Sequence, residues 1–134
     1  MSGNIRGHSF SFVYCRSTPN LYEVEWLLSK TVDSNYILGD LNLDTNIPLH
    51  REKISKLCSE DKTPLLDEIT TKNNNQLDHI LGIQRDDVTV FTTSFMNFVS
   101  DHKSTTIRIS LCGANFVDDP RLPKNLTIED MDTL

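Results

Sequence analysis

The chain has 134 residues, a net charge of −6, 37% apolar residues and 24% charged residues, a balance that suits one small water-soluble domain or part of one. No apolar run approaches the roughly 18 residues of a membrane span, and the polar start of the chain has no secretory h-region, so an intracellular protein (nuclear or cytoplasmic, not secreted, no membrane contact) is expected. The acidic balance, with no basic stripe, argues against a module that grips nucleic acid only by neutralising phosphates. It argues less against an enzyme whose carboxylates hold a divalent cation.

Residues 8–15 alternate small or polar with aromatic side chains and predict a strand. A turn around Pro19 follows, and Asn20 is placed to cap a helix over 21–30 with Leu21, Val24, Leu27 and Leu28 on one face. Residues 35–38 predict a short buried strand that Gly39 ends at the start of a polar loop. A helix opened by Pro48 runs to about Cys58, with Ile54, Leu57 and Cys58 inward. Residues 65–71 and 76–83 are strand candidates joined by a Lys72-Asn73-Asn74-Asn75 turn, and 88–92 and 105–111 alternate like strands. From Gly113 the composition becomes that of a linker or tail, so the expected domain is 8–112 and the expected tail, or start of a second domain, is 113–134. Cys15, Cys58 and Cys112 are odd in number and widely spaced, which favours reduced thiols over a disulfide framework or zinc ribbon.

Three polar clusters sit beside predicted strands, where the sheet holds residues rigidly and side chains reach a cleft. Gly39-Asp40-Leu41-Asn42 follows an apolar strand. In extended geometry Asp40 and Asn42 point the same way and suit a hard cation or a phosphate oxygen, although in a turn they would instead bond local backbone. Ser100-Asp101-His102 precedes a strand and pairs a metal-capable anion with a group that titrates near neutrality; an exposed loop is the simpler reading. Asp78, in Gln76-Leu77-Asp78-His79-Ile80-Leu81, interrupts an apolar strand. If buried it needs a partner such as histidine, whereas on an edge strand it needs none.

Taken in order, strand–Gly-Asp-Leu-Asn, strand with Leu-Asp-His-Ile, and Ser-Asp-His–strand resemble the endonuclease/exonuclease/phosphatase superfamily, which is DNase I-like. Val13-Tyr14-Cys15-Arg16-Ser17 is similar to its Tyr- and Arg-bearing strand. The resemblance implies an α/β fold, the C-terminal half of a two-sheet DNase I-like sandwich with a mixed, mainly antiparallel sheet and flanking helices. It also implies metal-dependent phosphodiester hydrolysis on nucleic acid, DNA before RNA, with Mg²⁺ or Mn²⁺. By the same resemblance Asp40 and Asn42 face the scissile phosphate and the metal, Asp101 is a metal ligand, and His102 contacts a phosphate oxygen with Asp78 holding its ring. Tyr14 and Arg16 line the phosphate site, and His79 is non-catalytic. The spacing is closest to retroelement-type or apurinic endonucleases; phosphatases and deadenylases of the superfamily, or a non-catalytic interaction remnant, are the alternatives.

Two departures carry consequences. The asparagine and metal-binding glutamate that the family's N-terminal half supplies have no counterpart here, so a truncated or degenerate copy with little activity alone is expected. A sheet lacking its partner layer is expected to expose an apolar face that invites the missing half or self-association. Residues 126–134, Leu-Thr-Ile-Glu-Asp-Met-Asp-Thr-Leu, resemble the start of a SUMO-type cysteine protease domain, which would make the chain part of a mobile-element nuclease–protease fusion; a helix cap at Thr127 explains the same residues.

Overall fold

Residues 2–5, 7–85, 87–92, 101–103 and 105–109 are described by the structure, a computed structural model. Ser100 of the Ser-Asp-His cluster, the end of the strand expected at 105–111, Cys112 and the expected tail 113–134 lie outside the described residues.

Strand β1 (Ser2–Ile5) turns back at Gly7, whose φ of 81° is the left-handed conformation glycine favours, and pairs antiparallel with β2 (His8–Tyr14). It precedes residue 8, where the expected domain begins, and adds an edge strand to the sheet. Helix α1 (Leu21–Thr31) then carries the chain to β3 (Tyr36–Asp40), which runs parallel to β2. Asn20 caps α1 as its sequence predicts. Its side chain accepts the Glu23 N–H at 2.8 Å, and the Glu23 carboxylate accepts the Asn20 N–H at 3.2 Å. Such a reciprocal cap stabilises a helix by about 1 kcal/mol. Val24 is buried and Leu27 and Leu28 are half-buried, but Leu21 is 61% exposed, because the buried stripe closes at Val24 before reaching the first helical position.

Helix α2 (Pro48–Cys58) starts on Pro48 and buries Ile54, Leu57 and Cys58, as expected. Burial pushes the Cys58 thiol up to about 11, so it stays protonated and inert near neutrality. Strands β4 (Thr63–Pro64) and β5 (Asp78–Gly82) follow, then β6 (Val88–Thr92) and β7 (Thr105–Ile109). The first five strands form one mixed sheet in the order β1-β2-β3-β5-β4, and β6 and β7 form an antiparallel pair. Among the described residues the fold is therefore a mixed α/β fold with a mixed five-stranded sheet and two helices. No helix among the described residues is long and apolar enough to cross a membrane.

The strand expected at 65–71 does not form. Backbone bonding to β5 ends where the Leu65 N–H donates to the Ile80 carbonyl at 2.7 Å, and the Thr70 and Thr71 amides donate to the Asn75 carbonyl, closing a tight loop around the expected 72–75 turn. Gly39 also departs from expectation: it lies within β3 and does not end it. Its φ is +136°, and a Cβ there would fall on the carbonyl of Val13 in β2, so the residue is required by close strand approach.

Both faces of the sheet are covered. On one, Val24, Ile37, Leu41, Leu43, Ile54, Leu57, Cys58 and Leu81 pack between sheet and helices. On the other, Phe10, Tyr36, Leu38 and Ile80 pack with Leu66 and with Ile107 of β7, flanked by Val88 and Val90 of β6. The bare apolar sheet face expected from the sequence is thus absent among the described residues, because the β6–β7 pair supplies a second layer. Ile80→Ala should lower the free energy of unfolding by about 2–5 kcal/mol. Gly39→Ala, although it adds only a methyl group, should cost at least about 1–3 kcal/mol. Urea denaturation measures both, and wild-type stability in the glycine variant would show that the strands have room to spare.

Candidate active site

The register of the sheet assembles the site. Asp40, the last residue of β3, pairs with Tyr14 of β2 on one side and with Asp78 of β5 on the other. Three positions from separate parts of the sequence therefore meet at one end of the three central strands. Asp78 is buried and directly opposite Asp40. Two neighbouring carboxylates in a desolvated place repel each other unless a positive or donor group joins them.

His102 is that group. Its Nδ1 donates to Asp78 Oδ2 at 2.6 Å, and its Nε2 lies 3.8 Å from Asp40 Oδ2. With Nδ1–H committed to Asp78, Nε2 is a base when the ring is neutral and a donor when it is charged. One ligand atom from each of Asp40, Asp78 and His102 falls within 4.8 Å of the others, a spacing at which the three could share a cation. The expectation that Asp78 pairs with a histidine matches this geometry.

Short backbone bonds hold His102 in place. The Lys72 N–H donates to the Asp101 carbonyl at 2.9 Å, the Lys103 N–H donates to the Thr70 carbonyl at 2.7 Å, and Thr71 and His102 form an isolated bridge. Thr70 is fully buried, and its hydroxyl accepts the N–H groups of Leu77 and Asp78 at 3.1 and 3.2 Å. Thr70 thus fixes both the strand that carries Asp78 and the segment that carries His102. No sequence signal singles it out, since a threonine in a polar loop reads as ordinary.

The Gly-Asp-Leu-Asn residues form a turn. Asn42 has a φ of 53°, so Asp40 and Asn42 do not lie on one extended face as expected. Asp40 Oδ1 accepts the Asn42 N–H at 2.9 Å, and the Asn42 amide nitrogen donates to the Cys15 carbonyl at 3.3 Å. The Cys15 N–H in turn donates to the Asp40 carbonyl at 2.8 Å, and the Thr18 hydroxyl to the Asn42 carbonyl at 3.2 Å. These bonds lace the loop after β2 onto the turn after β3. Burial pushes the Asp40 carboxyl above its ordinary range; the Asn42 N–H pulls it down, the Asp78 charge pushes it up and His102 pulls it down.

The other named residues stand further out. Asp101 is 84% exposed, 4.0 Å from the Lys72 ammonium, and is not one of the three groups drawn together. Its backbone carbonyl accepts the Lys72 N–H. Tyr14 and Arg16 are exposed beside the turn. His79 is buried, donates from Nε2 to the Leu43 carbonyl at 2.7 Å and is pushed toward the neutral form by burial, consistent with a structural role. His50 Nδ1 accepts the Asp44 N–H at 2.9 Å.

No protein-family model matches the chain, and no curated protein and no solved structure matches it.

The raised Asp40 carboxyl has a consequence for stability. The folded chain holds this proton more tightly than the unfolded chain, so its contribution favours folding at low pH and is lost as pH rises through the raised value. In metal-free buffer Asp40→Asn, which keeps the acceptor for Asn42, should be more stable than wild type at about pH 7 and lose that advantage toward about pH 3. Thermal denaturation across that range measures it; equal stability at neutral pH would show that Asp40 carries no electrostatic strain.

Proposed function

We propose that this chain is a metal-dependent phosphodiesterase module of the endonuclease/exonuclease/phosphatase type, acting on nucleic acid. The observation that carries this reading is the Asp40–His102–Asp78 group, in which Asp78 holds the imidazole and leaves Nε2 directed at a second carboxylate. The sheet with a second β layer on one face and helices on the other is compatible with half of a DNase I-like sandwich.

The residues fit a hard cation in part. Asp40 and Asp78 offer carboxylate oxygens, the donor type that Mg²⁺ and Mn²⁺ prefer, and the raised Asp40 carboxyl marks a negative charge in need of a counter-charge. Asn42 follows in the same turn, with its amide nitrogen engaged by Cys15. Asp101, expected as a ligand, stands apart, so the cation would rest first on Asp40, with Asp78 nearby. Such a cation neutralises charge that develops on the transferring phosphoryl oxygens.

The protein's own groups then have separable tasks. Asp40 orients a water for in-line attack. His102 Nε2, within reach of the same space, donates to a phosphate oxygen when the ring is charged, and Asp78 fixes the ring orientation. Arg16 offers a bidentate donor to a phosphate from the neighbouring loop. The second reading is a non-catalytic interaction module. It is favoured by the local backbone bonds of Asp40 and Asn42 and by the outward position of Asp101.

Cation binding and cleavage separate the two. Millimolar Mn²⁺ or Mg²⁺ should raise the melting temperature of wild type by several degrees, as a ligand held only by the folded state does, and should leave Asp40→Asn unmoved. Cleavage of a labelled oligonucleotide, however slow, should fall about a hundredfold or more in Asp40→Ala and in His102→Ala. Cleavage that survives in both Asp40→Ala and His102→Ala sinks the site assignment, and no cation response with no cleavage leaves the interaction module standing.

A further inference from the structure

Two adjoining hollows lie between α1 and β2 with the loop that follows it. Their volumes are about 550 and 420 Å³, and Tyr14, Trp26 and Leu27 line both. Each is within the range of roughly 300–1,000 Å³ typical of ligand sites. Aromatic residues concentrate here. Tyr14 is 74%, Tyr22 79% and Trp26 55% exposed. The chain has three tyrosines and one tryptophan, and Tyr36 is buried in the core; every other residue of these two types therefore lies in this groove.

Charge is arranged around the rings. Arg16 lines one end, and the Lys30 ammonium sits 5.7 Å from the Trp26 ring centroid at the other. Of the acidic residues on the same helix, Glu23 lines the groove with its carboxylate accepting the Asn20 N–H, and Glu25 pairs with Lys56. Cations at both ends of a row of aromatic faces match a chain of alternating phosphates and bases.

The groove is also continuous with the site. Tyr14 is the register partner of Asp40, and the Cys15–Thr18 loop is bonded to the Asp40–Asn42 turn through Cys15 and Thr18. We propose that this groove is a stacking platform for single-stranded nucleic acid, which leads a strand toward Asp40 and His102. The proposal rests on the phosphodiesterase reading and adds the strandedness of the substrate. A duplex keeps its base faces stacked inside and offers only edges and phosphates, so it cannot use three exposed rings; a single strand can.

The sole tryptophan serves as the reporter. In EDTA, where cleavage is suppressed, a short oligothymidylate should quench Trp26 fluorescence, and a duplex of equal length should do so less. By anisotropy of the labelled single strand, Trp26→Ala and Tyr22→Ala should each weaken binding about tenfold, with Trp26→Phe within about threefold of wild type because an aromatic face is retained. Both residues are exposed, so melting temperatures should not move, and a fall in them is controlled by the Phe variant. No quenching, or alanine variants that bind like wild type while the Mn²⁺ stabilisation persists, overturns the platform alone. Oligonucleotide binding that persists where Mn²⁺ stabilisation and cleavage are both missing overturns the phosphodiesterase reading and keeps the platform as a binding site. A concentration-dependent dimer in sedimentation that Trp26→Ala abolishes would assign the face to a second copy and overturn the proposal.

Discussion

Strand β3 is the constraint from which the rest follows. Tyr36, Ile37 and Leu38 are buried on alternate faces, so this one strand belongs to both apolar layers, the helix side through Ile37 and the β6–β7 side through Tyr36 and Leu38. A strand in that position cannot slip by one residue without moving each of these side chains into the opposite layer. Its register against β2 and β5 is pinned accordingly, and the last residue of the strand inherits that precision. Asp40 is placed between Tyr14 and Asp78 because the core places Ile37 and Leu38. Gly39 serves the same end, since only a residue without Cβ permits β2 to lie so close just before the site.

What the core positions is electrostatically uncomfortable. Two carboxylates face each other across adjacent strands, one of them buried, and the imidazole between them forms a close hydrogen bond with only one. The Asp40 carboxyl is accordingly pushed up by burial and by its neighbour. As a cap for the Asn42 amide, an Asn or Ser at position 40 would accept the same N–H without placing a second carboxylate beside Asp78. Charge held in place against its own solvation costs stability, and the cation site proposed above would relieve that cost.

Local chemistry was readable where it depends on neighbours in sequence. The Asn20 cap, the Pro48 helix start, the inward Ile54, Leu57 and Cys58, and the strands at β2, β6 and the beginning of β7 all follow from spacing and turn residues within a few positions. Misreadings fell where distant partners decide. The segment 65–71 has strand-like composition, yet Thr70 and Thr71 spend their amides on Asn75 and their carbonyl and bridge contacts on the His102 segment. Leu21 reads as core and is exposed. Asn42 reads as a partner of Asp40 on one face, and its left-handed backbone turns it toward Cys15.

For the site itself, the residue types left each cluster open to a plainer reading, a turn, an exposed loop or an edge strand, and only their order along the chain, through the family resemblance, raised Asp40, Asp78 and His102 together with Asn42, Asp101, Tyr14 and Arg16. That Asp78 would hold the His102 ring was implied only by the resemblance, and nothing in the sequence said that Asp101 would turn outward to Lys72 or that Thr70 would hold both halves together. Those outcomes depend on strand register and on hydrogen bonds between segments some thirty residues apart, and only packing the sheet against both of its layers decides them.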